Sequence, residues 1–204
     1  TGCPIHIQHI TSARGVELVR EGKARGIQVT CEVTPHHLVL NEDDITTTYN
    51  TNLKMNPPLR SKADNAALIE GIKDGTIDCI VTDHAPHADH EKAREFELAP
   101  FGMTGLETSL GVILVDPGLI TYNELVELMA IKPREILRLD QVTLKQGSVA
   151  DITIFDPEVT WTVQSDDMYS KSHNSGFLGY TLKGRATDVF VGGTVTCKDG
   201  VVVE

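Results

Sequence analysis

Short stretches of strict apolar/polar alternation take turns with stretches of helical periodicity through the first two thirds of this chain. Pro4 to Ile10 alternates, with Ile5, Ile7 and His9 on one face and His6 and Gln8 on the other. Thr11-Ser12 offers an N-cap for a helix from Ala13 to Arg25, which Gly26 stops. Ile27 to Val33 is the next strand, broken by Pro35-His36-His37. A polar loop runs from Asn41 to Asn52, and Pro57-Pro58 marks an extended turn. Lys62 to Lys73 repeats apolar residues at helical spacing through Ala66, Ala67, Leu68, Ile69 and Ile72, and Gly75 ends it. Ile77 to Asp83 is a third strand with Ile77, Cys79, Val81 and Asp83 on one face.

Strands alternating with helices predict right-handed βαβ units and a parallel sheet, an α/β fold. Short strands with polar, motif-bearing βα loops suit part of a (β/α)8 TIM-like barrel, whose active site sits at the C-terminal ends of the strands. By alternation, His9 and Asp83 close inward-facing rows at those ends. After a loop from His84 to Thr104, helices are expected over Gly105 to Val115, from the capping box Thr121/Glu124 to Ile131, and from Pro133 to Leu139. The pattern then changes to Val- and Thr-rich alternation over Gly147 to Phe155 and Thr187 to Glu204. Gly192-Gly193 and Asp199-Gly200 supply hairpin turns. The expected organisation is a partial barrel over residues 1–139 and a small antiparallel β unit, a β-sandwich portion, over residues 140–204.

Composition narrows the partners. The 204 residues are 40% hydrophobic and 23% charged, with a formal net charge of −11. A negative surface argues against nucleic acid and anionic membrane, while leaving room for an anionic substrate beside a metal. No apolar run approaches a membrane span and no signal-peptide pattern opens the chain, so a cytoplasmic location is expected. Cys3, Cys31, Cys79 and Cys197 form no paired motif and read as buried reduced thiols. Opening on Thr1-Gly2-Cys3 without Met, the chain reads as cut from a longer protein.

Asp83 is the sharpest candidate for chemistry. A carboxylate closing the apolar run Ile80-Val81 is expensive unless a cation pairs it; the competing role is capping the turn that follows. His6 and His9, three apart in a strand, point to opposite faces and cannot share a metal. His6 reads as a packed residue. His9 alone reads as a hydrogen-bonded core histidine, and together with Asp83 as a metal ligand. The adjacent His36 and His37 diverge in direction and read as supports for the loop.

The segments Ile7-Gln8-His9-Ile10-Thr11-Ser12, Glu32-Val33-Thr34-Pro35-His36-His37-Leu38, Lys54-Met55-Asn56-Pro57-Pro58-Leu59-Arg60, Thr82-Asp83-His84-Ala85-Pro86-His87 and Ala99-Pro100-Phe101-Gly102 resemble those of type I dihydroorotases in order and spacing. These are zinc enzymes of the amidohydrolase superfamily. Residues 144–152 and Val191-Gly192-Gly193 are similar to the C-terminal β unit of the same superfamily, so the resemblance covers essentially the whole chain. Hydantoinases and allantoinases share the architecture but usually lack an Asn before the proline pair.

The resemblance implies that His9 is the zinc ligand of barrel strand six and Asp83 the strand-eight ligand and general acid/base. It further implies that Asn56, His87 and the Phe101-Gly102 backbone contact dihydroorotate, and that two zinc ions serve the reaction. The family's H-x-H motif with its following Arg, its bridging carboxylate and another His ligand would precede Thr1, leaving this stretch inactive by itself. The expected reaction interconverts dihydroorotate and carbamoyl aspartate in pyrimidine synthesis. A homodimer or association with aspartate carbamoyltransferase is the expected assembly. The alternatives are a related cyclic-amide hydrolase, such as a dihydropyrimidinase or allantoinase, and a non-catalytic scaffold of the same fold.

Overall fold

Three parallel strands form the first sheet: β1 (Ile5–Ile7), β2 (Val29–Val33) and β3 (Cys79–Ile80), in the order β1-β2-β3. The computed structural model describes residues 2–203. Helix α1 (Ala13–Ala24) connects the first pair, with the Ser12 side chain accepting from the Gly15 N–H. Between β2 and β3 come α2 (Pro35–Val39), a long loop, and α3 (Lys62–Lys73), which starts on a Ser61/Asp64 capping box. Val29, Cys31 and Val33 of β2 pack against Val16 and Val19 of α1 and Leu68 and Ile72 of α3, the heart of the larger core.

The register corrects the expected facing of β1. Ile5 pairs with Val29, His6 with Thr30 and Ile7 with Cys31, so Ile5 and Ile7 share the face of β2 that packs on helices. His6 lies on the opposite face with Thr30 and Glu32. The expectation that His9 continues the row of Ile5 and Ile7 fails because β1 ends at Ile7. His9 itself has φ 35°, which takes it out of strand alternation.

Pro35 follows the end of β2, as expected, and in addition starts a helix. Thr34 caps α2 and Pro35 takes the first position, where a missing N–H is harmless. This buries His36 and His37. The Thr34 hydroxyl donates to His37 Nδ1 at 2.6 Å, and His37 Nε2 donates to the Pro57 carbonyl at 2.9 Å. Helix α2 therefore pins the Asn56-Pro57-Pro58 turn through a neutral ring.

After β3, α4 (Asp89–Lys92) and α5 (Ser109–Leu114) follow, the latter shorter than the apolar run suggested. Helix α6 (Tyr122–Val126) passes through a π-helical turn at Glu127–Ile131 into α7 (Lys132–Leu137). The antiparallel sheet β4 (Ile152–Thr162), β5 (Thr181–Val191), β6 (Thr194–Lys198) and β7 (Val201–Val202) completes the chain in that order. Its first hairpin is longer than the alternation foretold, and the two glycine-bearing turns fall where expected. A smaller core joins the two regions: Val163, Phe177 and Leu182 pack with Val112 of α5 and with Leu40, Leu53, Met55, Leu59 and Met103 from the loops. Cys31 and Cys79 are buried, and all four cysteines are unpaired. No helix among the described residues is long and apolar enough to cross a membrane.

Burial, aided by His9 and Arg60 and opposed by the Pro57 bond, pulls His37 down to about 4. Unfolding restores an ordinary histidine, which takes a proton near pH 6.5, so protons favour the unfolded state between these values. Stability in urea titrations should be fully present above pH 6.5 and fall as pH drops toward 4. His37 should contribute a slope of up to about 1.4 kcal/mol per pH unit. The slope should flatten in His37→Gln; an unchanged slope would show that this ring does not carry the effect.

Candidate functional site at the strand ends

Two residues just beyond the parallel strands carry left-handed backbone: His9 after β1, with φ 35°, and Asp83 after β3, with φ 47°. Such a conformation costs a non-glycine residue about 1–2 kcal/mol, least for short polar side chains such as Asp. It persists where the surrounding structure over-determines it, which is characteristic of functional sites. His9 is partly buried, and its Nδ1 is buried without a hydrogen-bond partner among the described residues. Asp83 is exposed. Strand β2 lies between their strands.

His9 also stands near α2. Burial, with His37 and then His9 adding to it, drives the His36 ring well below the usual histidine range. These neutral neighbours leave His9 without an added cation of histidine origin, which suits a metal ligand.

His9 and Asp83 offer imidazole nitrogen and carboxylate oxygen, donor types that zinc accepts, whereas a catalytic zinc takes three protein ligands. The orphaned His9 nitrogen fits that use. Another trio, His6, Glu32 and Cys79, places its ligand atoms within 4.8 Å of one another. Its polar groups already serve each other: His6 Nδ1 pairs with Thr30 Oγ1 at 2.8 Å and Nε2 with Glu32 Oε2 at 2.9 Å. Burial pushes the Cys79 thiol up to about 12, so a satisfied polar network accounts for this group.

Three of the four expected substrate residues come together. His87 Nε2 donates to the Phe101 carbonyl at 2.9 Å. Gly102 follows with φ 103°, so close to the Ala85-His87 segment that a Cβ there would lie 2.6 Å from the Ala85 Cβ. Phe101 is exposed and Gly102 buried. Asn56 is exposed, and its segment runs beside this group because the Gly102 N–H donates to the Lys54 carbonyl at 2.8 Å. A surface groove lined by Asp156, Tyr169, Arg185 and Asp199 among others lies on the antiparallel sheet away from these residues.

Sequence reasoning missed the side chains that hold this loop. Lys54 Nζ donates to the Glu97 and Ala99 carbonyls at 2.8 and 2.7 Å and stands 4.5 Å from the Phe101 ring centre. Lys92 Nζ donates to the Pro100 and Gly102 carbonyls, each at 3.0 Å; burial and then the charge of Lys54 pull it down to about 8. Asn174 joins the same group from the connection between β4 and β5. Lys54 sits inside a quoted motif, so a signal existed for it. Lys92 and Asn174 act on main-chain atoms, which leave no side-chain pattern to read.

No protein-family model matches the chain. It is 51% identical over 200 residues to the Dihydroorotase of Geobacter metallireducens, covering 97% of this chain and 47% of that protein. It is 49% identical over 189 residues to the Dihydroorotase of Chlorobaculum tepidum, covering 91% and 43% respectively. The solved L-hydantoinase (dihydropyrimidinase) from Arthrobacter aurescens matches with a TM-score of 0.92 and 32% identity, over 100% of this chain and 47% of its own. The chain thus spans about half the length of the curated relatives it matches. Nearly the whole chain is thus similar, at about half identity, to just under half the length of dihydroorotases, on an amidohydrolase scaffold that brings His87, Phe101 and Gly102 together.

Proposed function

We propose that the protein to which these residues belong carries out the zinc-dependent, reversible hydrolysis of dihydroorotate to carbamoyl aspartate. The observation that carries this reading is the pair His9 and Asp83, both held in left-handed backbone at parallel strand ends, in a chain about half identical to dihydroorotases. His9 and Asp83 would hold zinc together with ligands from outside these residues. Zinc bound there would acidify a water and polarise the ring carbonyl. An Asp83 carboxylate oxygen would take the proton of the attacking water and deliver it to the ring nitrogen as the amide C–N bond breaks. For cyclisation the same oxygen moves the proton the other way. Asn56, His87 and the Phe101-Gly102 backbone would orient the imide ring and carboxylate, with an amide, an imidazole and the Phe101 N–H as partners, the Gly102 N–H being taken by the Lys54 carbonyl. A cytoplasmic setting, and assembly as a homodimer or with aspartate carbamoyltransferase, belong to the same reading through the family resemblance.

The likeness to an L-hydantoinase favours one second reading, hydrolysis of a different cyclic amide. Assaying the whole protein on dihydroorotate, hydantoin and allantoin decides between them: turnover of dihydroorotate far above the others is expected, and preference for hydantoin would overturn the first reading. Residues 1–204 alone should give no measurable turnover, because His9 and Asp83 are too few ligands; robust metal-dependent hydrolysis by them would refute that count.

In the whole protein, Asp83→Ala should abolish turnover and lower bound zinc together. Asp83→Asn should retain more metal yet stay nearly inactive, since an amide cannot take the proton. His9→Ala should strip zinc and activity, whereas His6→Ala should cost about 1 kcal/mol of stability and leave the metal in place. Near-normal turnover in either Asp83 variant removes that residue from the mechanism, and zinc loss from His6→Ala but not His9→Ala moves the metal to the other group.

A further inference from the structure

We infer that Asn174 and Lys92 are positioning residues that set the spacing between the His87 segment and the Phe101-Gly102 backbone, so that the C-terminal β unit builds part of a site it does not line. For its substrate this rests on the proposed dihydroorotate reaction; for its geometry it does not.

Asn174 is 3% exposed and uses both ends of its carboxamide. Its Nδ2 donates to the Ala85 carbonyl at 2.9 Å and to the Gly102 carbonyl at 3.3 Å, while Oδ1 accepts from the His87 N–H at 2.9 Å. Each of the two segments is therefore tied to the same planar group, whose geometry leaves little room for either to slide. The backbone holds Asn174 in turn, since its carbonyl accepts from the Thr104 N–H at 2.9 Å. Two residues on, Gly176 packs so closely that a Cβ would lie 2.8 Å from Leu53 Cδ2 and 3.0 Å from Met103 Cε. Phe177 is buried in the smaller core beside those two side chains. The clamp is thus anchored in packed structure, as positioning requires.

Lys92 closes the arrangement from the other side. Its ammonium donates to Pro100 and Gly102, so the Gly102 carbonyl receives both Lys92 and Asn174. No carboxylate pairs with Lys92 among the described residues. A buried ammonium spent on two loop carbonyls fixes the turn that presents Phe101 and Gly102, at a desolvation cost a slack loop would not require.

The test uses the whole protein. Asn174→Ala should raise KM for dihydroorotate about tenfold or more with kcat changed far less and zinc per chain unchanged, the pattern of lost substrate positioning. Asn174→Asp keeps the shape and the acceptor but turns a carboxylate oxygen toward two carbonyls, and should raise KM at least as much. Lys92→Met leaves Asn174 in place and should show the same KM-led defect, partly restored in Lys92→Arg; it also serves if the Asn174 variants do not fold. Amide exchange reads the clamp without substrate: the His87 N–H should exchange at least about tenfold faster in Asn174→Ala. Wild-type KM in folded Asn174 variants, in Lys92→Met, or unchanged exchange at His87 would overturn the inference. If the wild-type protein prefers hydantoin, the functional reading fails on its own, and the same KM comparison on hydantoin still decides the positioning role.

Discussion

Buried main-chain carbonyls need donors, and around Gly102 those donors come from outside the loop. Residues 97–102 have little regular structure, yet the carbonyls of Glu97, Ala99, Pro100 and Gly102 are each met by a lysine ammonium. Asn174 adds a second donor at Gly102 and reaches Ala85. Without these groups the carbonyls would be stranded, at about 1–3 kcal/mol each, and the loop would move to water. The placement of His87 and Phe101 follows from that constraint. It also explains why the C-terminal sheet shares a core with the loops: Val163, Phe177 and Leu182 pack on Leu53, Met55 and Met103, holding the donors and acceptors in register.

The strand ends obey a second constraint. A parallel strand presents its last side chains by alternation, and a left-handed residue breaks that rule locally. His9 and Asp83 both do so, two and three residues past the ends of their strands, and the cost is offset only if the orientation gained is used. His37 supports the arrangement from the second strand by remaining neutral and bonding Pro57, which fixes the turn that carries Asn56.

Much of the architecture was legible in the chain. Helical periodicity located α1 and α3 to within a residue, and the hairpin glycines located the last turns. The facing of β1 was not legible, because alternation assumes a strand that continues to His9 while the real strand stops at Ile7. Pro35 does end the strand, but that it also starts a helix was not legible, since the cue is the Thr34 side chain, a capping interaction that binary patterning does not weigh. Within the site, the grouping of His87 with Phe101-Gly102 is visible in the motifs. Asn174 was hidden because its partners lie 72 to 89 residues away and are main-chain atoms, which a sequence does not distinguish from any other.

The central claim is that the strand ends of this chain hold the metal and its loops hold the substrate. An anomalous-scattering crystal structure of the whole protein with zinc and dihydroorotate measures it most directly. The account requires zinc at His9 and Asp83, with dihydroorotate against Asn56, His87 and the Phe101-Gly102 backbone. Zinc instead on His6, Glu32 and Cys79, or substrate bound away from Gly102, would contradict it.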